Sequence, residues 1–234
     1  MMEVRRSASR GHANHGWLDS YHSFSFNQYY DPARMAFSVL RVINEDIVAP
    51  TRGFGMHPHQ NMEIITYMLG GELAHQDSLG NGSTIRAGDV QRMTAGSGIV
   101  HAEMNQSITE AAHLLQIWLT PSKDGLEPSY EDKRIDPHRK LNQWCLIASH
   151  DAREDSLLIH QDVNLWATYL HAGHSLDYQA PKGRSAYVQL ARGRLRVNGE
   201  WLEQGDAIVL ETSIDLSLNA ETDAEVLLFD LPKA

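Results

Sequence analysis

Two pairs of metal-ligand side chains stand on this sequence at one spacing, His57-Pro58-His59 and His101-Ala102-Glu103. Residues i and i+2 of a β-strand point to the same face of a sheet. If both stretches are extended, each aims two ligands in one direction, and two neighbouring strands would surround one ion. Three imidazoles and one carboxylate suit a borderline divalent metal such as Fe, Ni, Cu, Mn or Zn, and serve Ca or Mg poorly. Such an ion usually keeps positions open for water or substrate, so the pattern points toward chemistry as much as toward structure.

The elements that must hold these dyads read as short strands, with little helical periodicity. Strands are expected at 37–42, 62–69, 90–94, 114–119, 165–170, 186–190, 195–197, 207–210 and 226–229. Nearly every position of 62–69 is apolar, which fits a strand covered on both faces. Asn198-Gly199 suits a type I′ hairpin, and Leu79-Gly80-Asn81-Gly82 a tight turn. Many short strands argue for an all-β sandwich or barrel of the jelly-roll kind. Pro121, Pro128 and Pro137 interrupt a charged stretch, which predicts a linker over 126–140 between units 1–125 and 141–234.

The two units resemble an internal repeat. Arg192-Gly193-Arg194-Leu195 parallels Gly70-Gly71-Glu72-Leu73, and Gly205-Asp206 parallels Gly88-Asp89. The same offsets lead to Ala180, Lys182, Leu218 and Ala220 in the places of the four ligands. One half is expected to carry a metal and the other to be blank.

Composition narrows the function classes. The chain has 234 residues, and its 42% hydrophobic content is enough for a core. Its 30 acidic against 20 basic residues, a formal charge of −10, argue against direct nucleic-acid binding. The single cysteine, Cys145, allows no intrachain disulfide, suits a reducing compartment and lies in an apolar stretch where a buried, inert thiol is expected. No hydrophobic signal region opens the chain and no apolar run approaches a bilayer span, so a soluble cytoplasmic protein without membrane contact is expected.

Longer segments carry a family resemblance. Gly55-Met56-His57-Pro58-His59-Gln60-Asn61-Met62-Glu63, running on to Gly70, resembles the first cupin motif; Gly88 through Gly98-Ile99-Val100-His101, with Asn105, resembles the second, with Gly96 in place of its usual proline. More specifically, Gly11-His12-Ala13-Asn14-His15-Gly16-Trp17-Leu18, Phe24-Ser25-Phe26, Tyr30-Asp31-Pro32, His75-Gln76-Asp77-Ser78 and Thr94-Ala95-Gly96-Ser97-Gly98-Ile99 look like the pirin family, above all bacterial pirins that degrade quercetin. The resemblance implies an all-β bicupin with the metal in the N-terminal barrel, held by His57, His59, His101 and Glu103. Glu63 matches a glutamate that binds metal in many other cupins but not in pirins, and is left outside the coordination sphere.

The implied function is a dioxygenase that cleaves quercetin-like flavonols with O2, opening the central ring with release of carbon monoxide. One divalent transition metal is expected, Fe(II) before Ni, Cu, Mn, Zn or Co. Glu103 is expected to act as ligand and as general base. The alternative is a metal- or redox-sensing regulatory protein that binds a partner protein, with flavonol cleavage incidental. A monomer is expected in either case.

Other residues are weighed against the site. His12, His15 and His22 sit among aromatic residues at irregular spacing and are expected to pack and hydrogen-bond. His75 and His113 flank apolar strands and are expected to support the site or the fold rather than ligate. His150, His160, His171 and His174 are given no role. Some of Phe54, Met56, Met93 and Trp118 are expected to line a pocket for a flat aromatic ligand.

Overall fold

The computed structural model describes residues 2–211 and 215–233. Its strands form two seven-stranded and two four-stranded sheets, which combine into two barrels. In the N-terminal barrel the large sheet runs, neighbour to neighbour, through Ser129–Arg134, Asp89–Thr94, Glu63–Gly70, Ala112–Leu119, Leu40–Val48, Leu18–His22 and Gly11–Asn14. The small sheet facing it runs Gly53–His59, Ile99–Met104, Glu72–Asp77 and Gly82–Arg86. The C-terminal barrel repeats the plan, its small sheet running Ser175–Gln179, Asp215–Ala220, Arg194–Val197 and Glu200–Glu203. The all-β bicupin expected from the sequence is the observed fold.

Two segments depart from the expected division of the chain. Met2–Arg5 pairs with Ala207–Leu210, so the first strand belongs to the C-terminal sheet. Within 126–140, read as a linker, Ser129–Arg134 pairs along its whole length with Asp89–Thr94. Both are polar edge strands, paired on one side only, and an edge strand needs no apolar alternation to form.

The strand Glu63–Gly70 shows how the barrels meet. Ile64 and Met68 enter the interior of their own barrel, whereas Ile65, Tyr67 and Leu69 join a cluster with Tyr187, Leu227 and Phe229 of the C-terminal sheet. Both faces are covered, as the nearly continuous apolar run requires. At this interface Lys140 Nζ donates to Tyr67 Oη (2.7 Å) and to Glu225 Oε1 (2.8 Å), and Tyr67 Oη donates to the same Oε1 (2.7 Å).

The second barrel is filled. Leu190, Leu195, Leu202, Leu216 and Leu218 share one apolar cluster inside it. Leu218 and Ala220 lie on Asp215–Ala220, the strand that corresponds to Ile99–Met104. Ala180 and Lys182 fall past the end of Ser175–Gln179; the residues paired there are Leu176 with Leu218 and Tyr178 with Leu216. Asn198 (φ 48°) and Gly199 (φ 87°) both take the positive φ that a type I′ turn demands.

Candidate metal centre

Adjacent antiparallel strands supply the histidines. His101 lies directly opposite His57, and the register slips by one residue before Glu103 meets Phe54, so Gly53–His59 bulges beside the site. The ring centroids of His57, His59 and His101 lie 4.4–4.9 Å apart. Their ligand-capable nitrogens fall within 4.8 Å of one another, a spacing that one ion can bridge. Glu103 joins His101 in a second, overlapping group with His75.

Hydrogen bonds set the imidazole tautomers. His57 Nδ1 donates to the Gly55 carbonyl at 2.7 Å, which leaves Nε2 with a free lone pair. His101 Nδ1 faces His75 Nδ1 at 3.4 Å, and its Nε2 is buried with no hydrogen-bond partner. A buried nitrogen lone pair without a donor is costly unless something else occupies it. That orphaned atom, aimed among two more imidazoles, fits a metal ion. Burial, reinforced by the neighbouring imidazoles, pushes His101 down to about 3, and burial with His57 pushes His59 down to about 4, so both stay neutral and able to ligate.

Glu103 sits at the floor. Gln91 Nε2 donates to Oε1 and Gln116 Nε2 to Oε2, both at 2.6 Å, with Thr66 Oγ1 at 3.3 Å from Oε1. Gln91, Thr66 and Gln116 are consecutive partners across three adjacent strands of the large sheet, and Asn44 and His22 continue the same rank. Burial raises the Glu103 carboxyl to about 7, although these donors favour its ionised form. The proton on Glu103 is therefore mobile near neutrality.

A cavity of about 760 Å³ opens onto these groups. Trp17, Phe26, Phe54 and Trp118 give it apolar walls, and His12, His15, His22, Asn44 and Asp46 polar ones. Trp118 meets the His59 ring edge-on at 5.0 Å. Of the four candidate lining residues, Phe54 and Trp118 border the cavity, Met93 is core and Met56 is exposed on the bulged strand. His12 stacks on Tyr21 and bonds Asp19, and His22 bonds Asn44, as expected of packing residues, yet both also face the cavity. Asp46, which accepts from Ser20, is raised to about 6 by burial.

Glu63 faces away from the histidines. Thr94 Oγ1 donates to its Oε2 at 3.1 Å, and His160 Nδ1 of the C-terminal barrel lies 3.5 Å from its Oε1. His75 touches His101, whereas His113 bonds Glu45 at 2.9 Å, which also accepts from Arg10. The residues that sequence reasoning missed are Thr66, Gln91 and Gln116. Thr66 and Gln116 interrupt mainly apolar strands, a sign of a buried partner, whereas Gln91 stands beside Arg92 and Thr94 and carries no such local sign.

Comparison with known proteins finds matches over nearly the whole chain. Residues 2–119 match the family described as Pirin, and residues 146–231 the one described as Quercetinase C-terminal cupin domain. A protein of Escherichia coli K12 named quercetin 2,3-dioxygenase is 45% identical, the match covering 99% of each chain. The crystal structure of the bacterial pirin YhhW of Escherichia coli in complex with nickel(II) superposes with TM-score 0.95 at 44% identity, over the full length of both chains. A crystal structure of quercetin 2,3-dioxygenase from Acinetobacter baumannii gives TM-score 0.78 at 26% identity, covering 98% of this chain and 86% of that one.

Proposed function

This chain belongs to the pirin family of cupins, and from that premise we propose that it is a metal-dependent dioxygenase acting on quercetin-like flavonols with O2. His57, His59, His101 and Glu103 would hold the ion, with Fe(II) first among the candidates; the crystal structure of a relative in complex with nickel(II) supports a borderline divalent metal. The observation that carries the reading is the orphaned His101 Nε2 among three imidazoles at the end of an aromatic-walled cavity.

When bound, a divalent transition metal supplies a Lewis acid that acidifies the enol hydroxyl of a flavonol and a redox centre for O2. The chain supplies the rest. Trp17, Phe54 and Trp118 offer faces and edges to a flat aromatic substrate. His12, His22, Asn44 and Asp46 offer donors and acceptors to its peripheral hydroxyls. Glu103 receives the enol proton at a carboxylate oxygen, for which either Gln91 or Gln116 must release its hydrogen bond.

The test is quercetin absorbance decay with metal-loaded protein, with the same protein after chelation, and after metal is restored. Turnover should vanish and return with the metal. Loaded protein that leaves quercetin untouched would overturn the dioxygenase reading. It would favour a regulatory protein instead, for which Met56, Val100 and Met104, exposed on the strands that carry the histidines, offer a contact surface.

A further inference from the structure

His101 is held from behind by a buried chain of hydrogen bonds. The Asp77 carboxylate is anchored at both oxygens. Oδ1 accepts from the backbone N–H of Leu79 (2.9 Å) and of Asn81 (3.1 Å), and Oδ2 accepts from Asn81 Nδ2 (2.9 Å). Oδ2 also takes the Nε2–H of His75 at 3.1 Å, with both side chains fully enclosed. A neutral His75 that donates from Nε2 has only a lone pair left on Nδ1. That lone pair can accept from His101 Nδ1–H, 3.4 Å away. Tyr130 stacks on the His75 ring at 4.2 Å and 17°, fixing its plane.

We propose that Asp77 and His75 are positioning residues that fix His101 in the tautomer whose Nε2 lone pair faces the metal; the inference rests on the metal-site reading above. A metal-bound histidine is commonly oriented through its second nitrogen by a carboxylate or carbonyl, and loss of that partner typically costs roughly 10- to 100-fold in metal affinity. Here the carboxylate acts through an intervening imidazole, and the direction of every proton follows from Asp77 having only acceptors to offer.

The relay makes Asp77→Asn more damaging than its shape suggests. The two backbone N–H groups keep an oxygen at the Oδ1 position, so the new NH2 takes the place of Oδ2 and donates to His75 Nε2, with the Asn81 amide turned over to present its oxygen. His75 must then carry its proton on Nδ1, and His101 must turn its Nδ1 into an acceptor and protonate Nε2, the atom meant for the metal. His75→Gln, by contrast, can still present a carbonyl oxygen to His101 Nδ1–H, whereas His75→Phe keeps the stack on Tyr130 but offers no acceptor.

The experiment measures Ni(II) affinity by chelator competition, together with the His101 ring tautomer by 15N NMR of the metal-free protein. The parent should show His101 protonated on Nδ1 and Asp77→Asn on Nε2. Asp77→Asn and His75→Phe should bind Ni(II) about 10- to 100-fold more weakly, with His75→Gln near the parent. In the His75→Phe background, Asp77→Asn should add little further loss. An unchanged tautomer in Asp77→Asn overturns the proposal, and so does an equal affinity loss in both backgrounds, which would place the effect in the 77–81 turn. A tautomer switch in Asp77→Asn, with no Ni(II) affinity in the parent, would uphold the relay and overturn the metal reading instead.

Discussion

As proposed ligand and base, Glu103 would combine two roles that pull its proton in opposite directions. Its buried carboxyl is raised to about 7, against an ordinary value of 4.5. A carboxyl raised in the folded state lends stability that is complete below the unfolded value and lost as pH climbs through the folded one. For Glu103 that window runs from about 4.5 to about 7, and the size is on the order of 3 kcal/mol. His59 and His101, both lowered, act the other way and lose their contribution as pH falls below the unfolded histidine value. Comparison of the metal-free parent with Glu103→Gln cancels the histidines. The parent's advantage in denaturation midpoint should shrink as pH rises from 4.5 to 7, and a constant difference would show that Glu103 is not raised. The same variant keeps the shape and an oxygen that coordinates weakly. Loaded with metal through its three imidazoles, it should retain most of its metal but turn over quercetin roughly a hundred- to ten-thousand-fold more slowly. Parent-like turnover would place the base elsewhere.

At the scale of elements, most of the buried strands were legible, Cys145–Ser149 excepted, and the edges were not. The segments 62–69, 90–94 and 207–210 were readable because apolar side chains cover them, and the structure gives Glu63–Gly70, Asp89–Thr94 and Ala207–Leu210. Ser129–Arg134, Gly11–Asn14 and Met2–Arg5 carry no such pattern. Their pairing is fixed by the strand beside them, which no local reading of sequence can supply. The i, i+2 dyads were legible for the same reason that strands are, since one period places both ligands. The rank Gln91–Thr66–Gln116–Asn44–His22 was not, because it forms only when five strands take their register. Ser129–Arg134 matters to that rank through Tyr130, whose hydroxyl contacts Ser83 Oγ (2.5 Å) and donates to Gln91 Oε1 (3.0 Å). Tyr130→Phe strips the Gln91 oxygen of that donor, and a buried acceptor left unpaired costs about 1–3 kcal/mol. The unfolding free energy should fall by that amount, seen as a lower denaturant midpoint with the slope unchanged. An unmoved midpoint would mean that water replaces the hydroxyl.

Across the whole molecule, one barrel is hollow and polar and its twin is packed with leucine. One tightly held metal per chain is therefore expected after dialysis, and two equivalents by elemental analysis would contradict the filled interior seen around Leu218. The twin's contribution lies in its outer face, where Lys140, Tyr67 and Glu225 tie the two large sheets together. Lys140→Met leaves the Glu225 carboxylate buried with Arg192 at 3.9 Å as its remaining ion-pair partner. Removing one member of a buried pair typically costs about 3–5 kcal/mol, whereas replacing both by apolar groups is often neutral. Lys140→Met should lower the unfolding free energy by about 3 kcal/mol, and Lys140→Met/Glu225→Leu should recover most of it. Equal losses in the two variants would show that the triad contributes packing rather than charge.

The placement of Met2–Arg5 has a consequence for biosynthesis. Its partner, Ala207–Leu210, lies about 200 residues downstream, and loop closure over that span must precede the pairing. While the chain emerges from the ribosome, Met2–Arg5 has no edge to join until Ala207–Leu210 has been translated. The strands that follow it, Gly11–Asn14 and Leu18–His22, wall the cavity of the first barrel. That late pairing thus clamps the beginning of the segment that shapes the binding site, and a nascent chain stalled before residue 207 would present that wall with Met2–Arg5 unpaired.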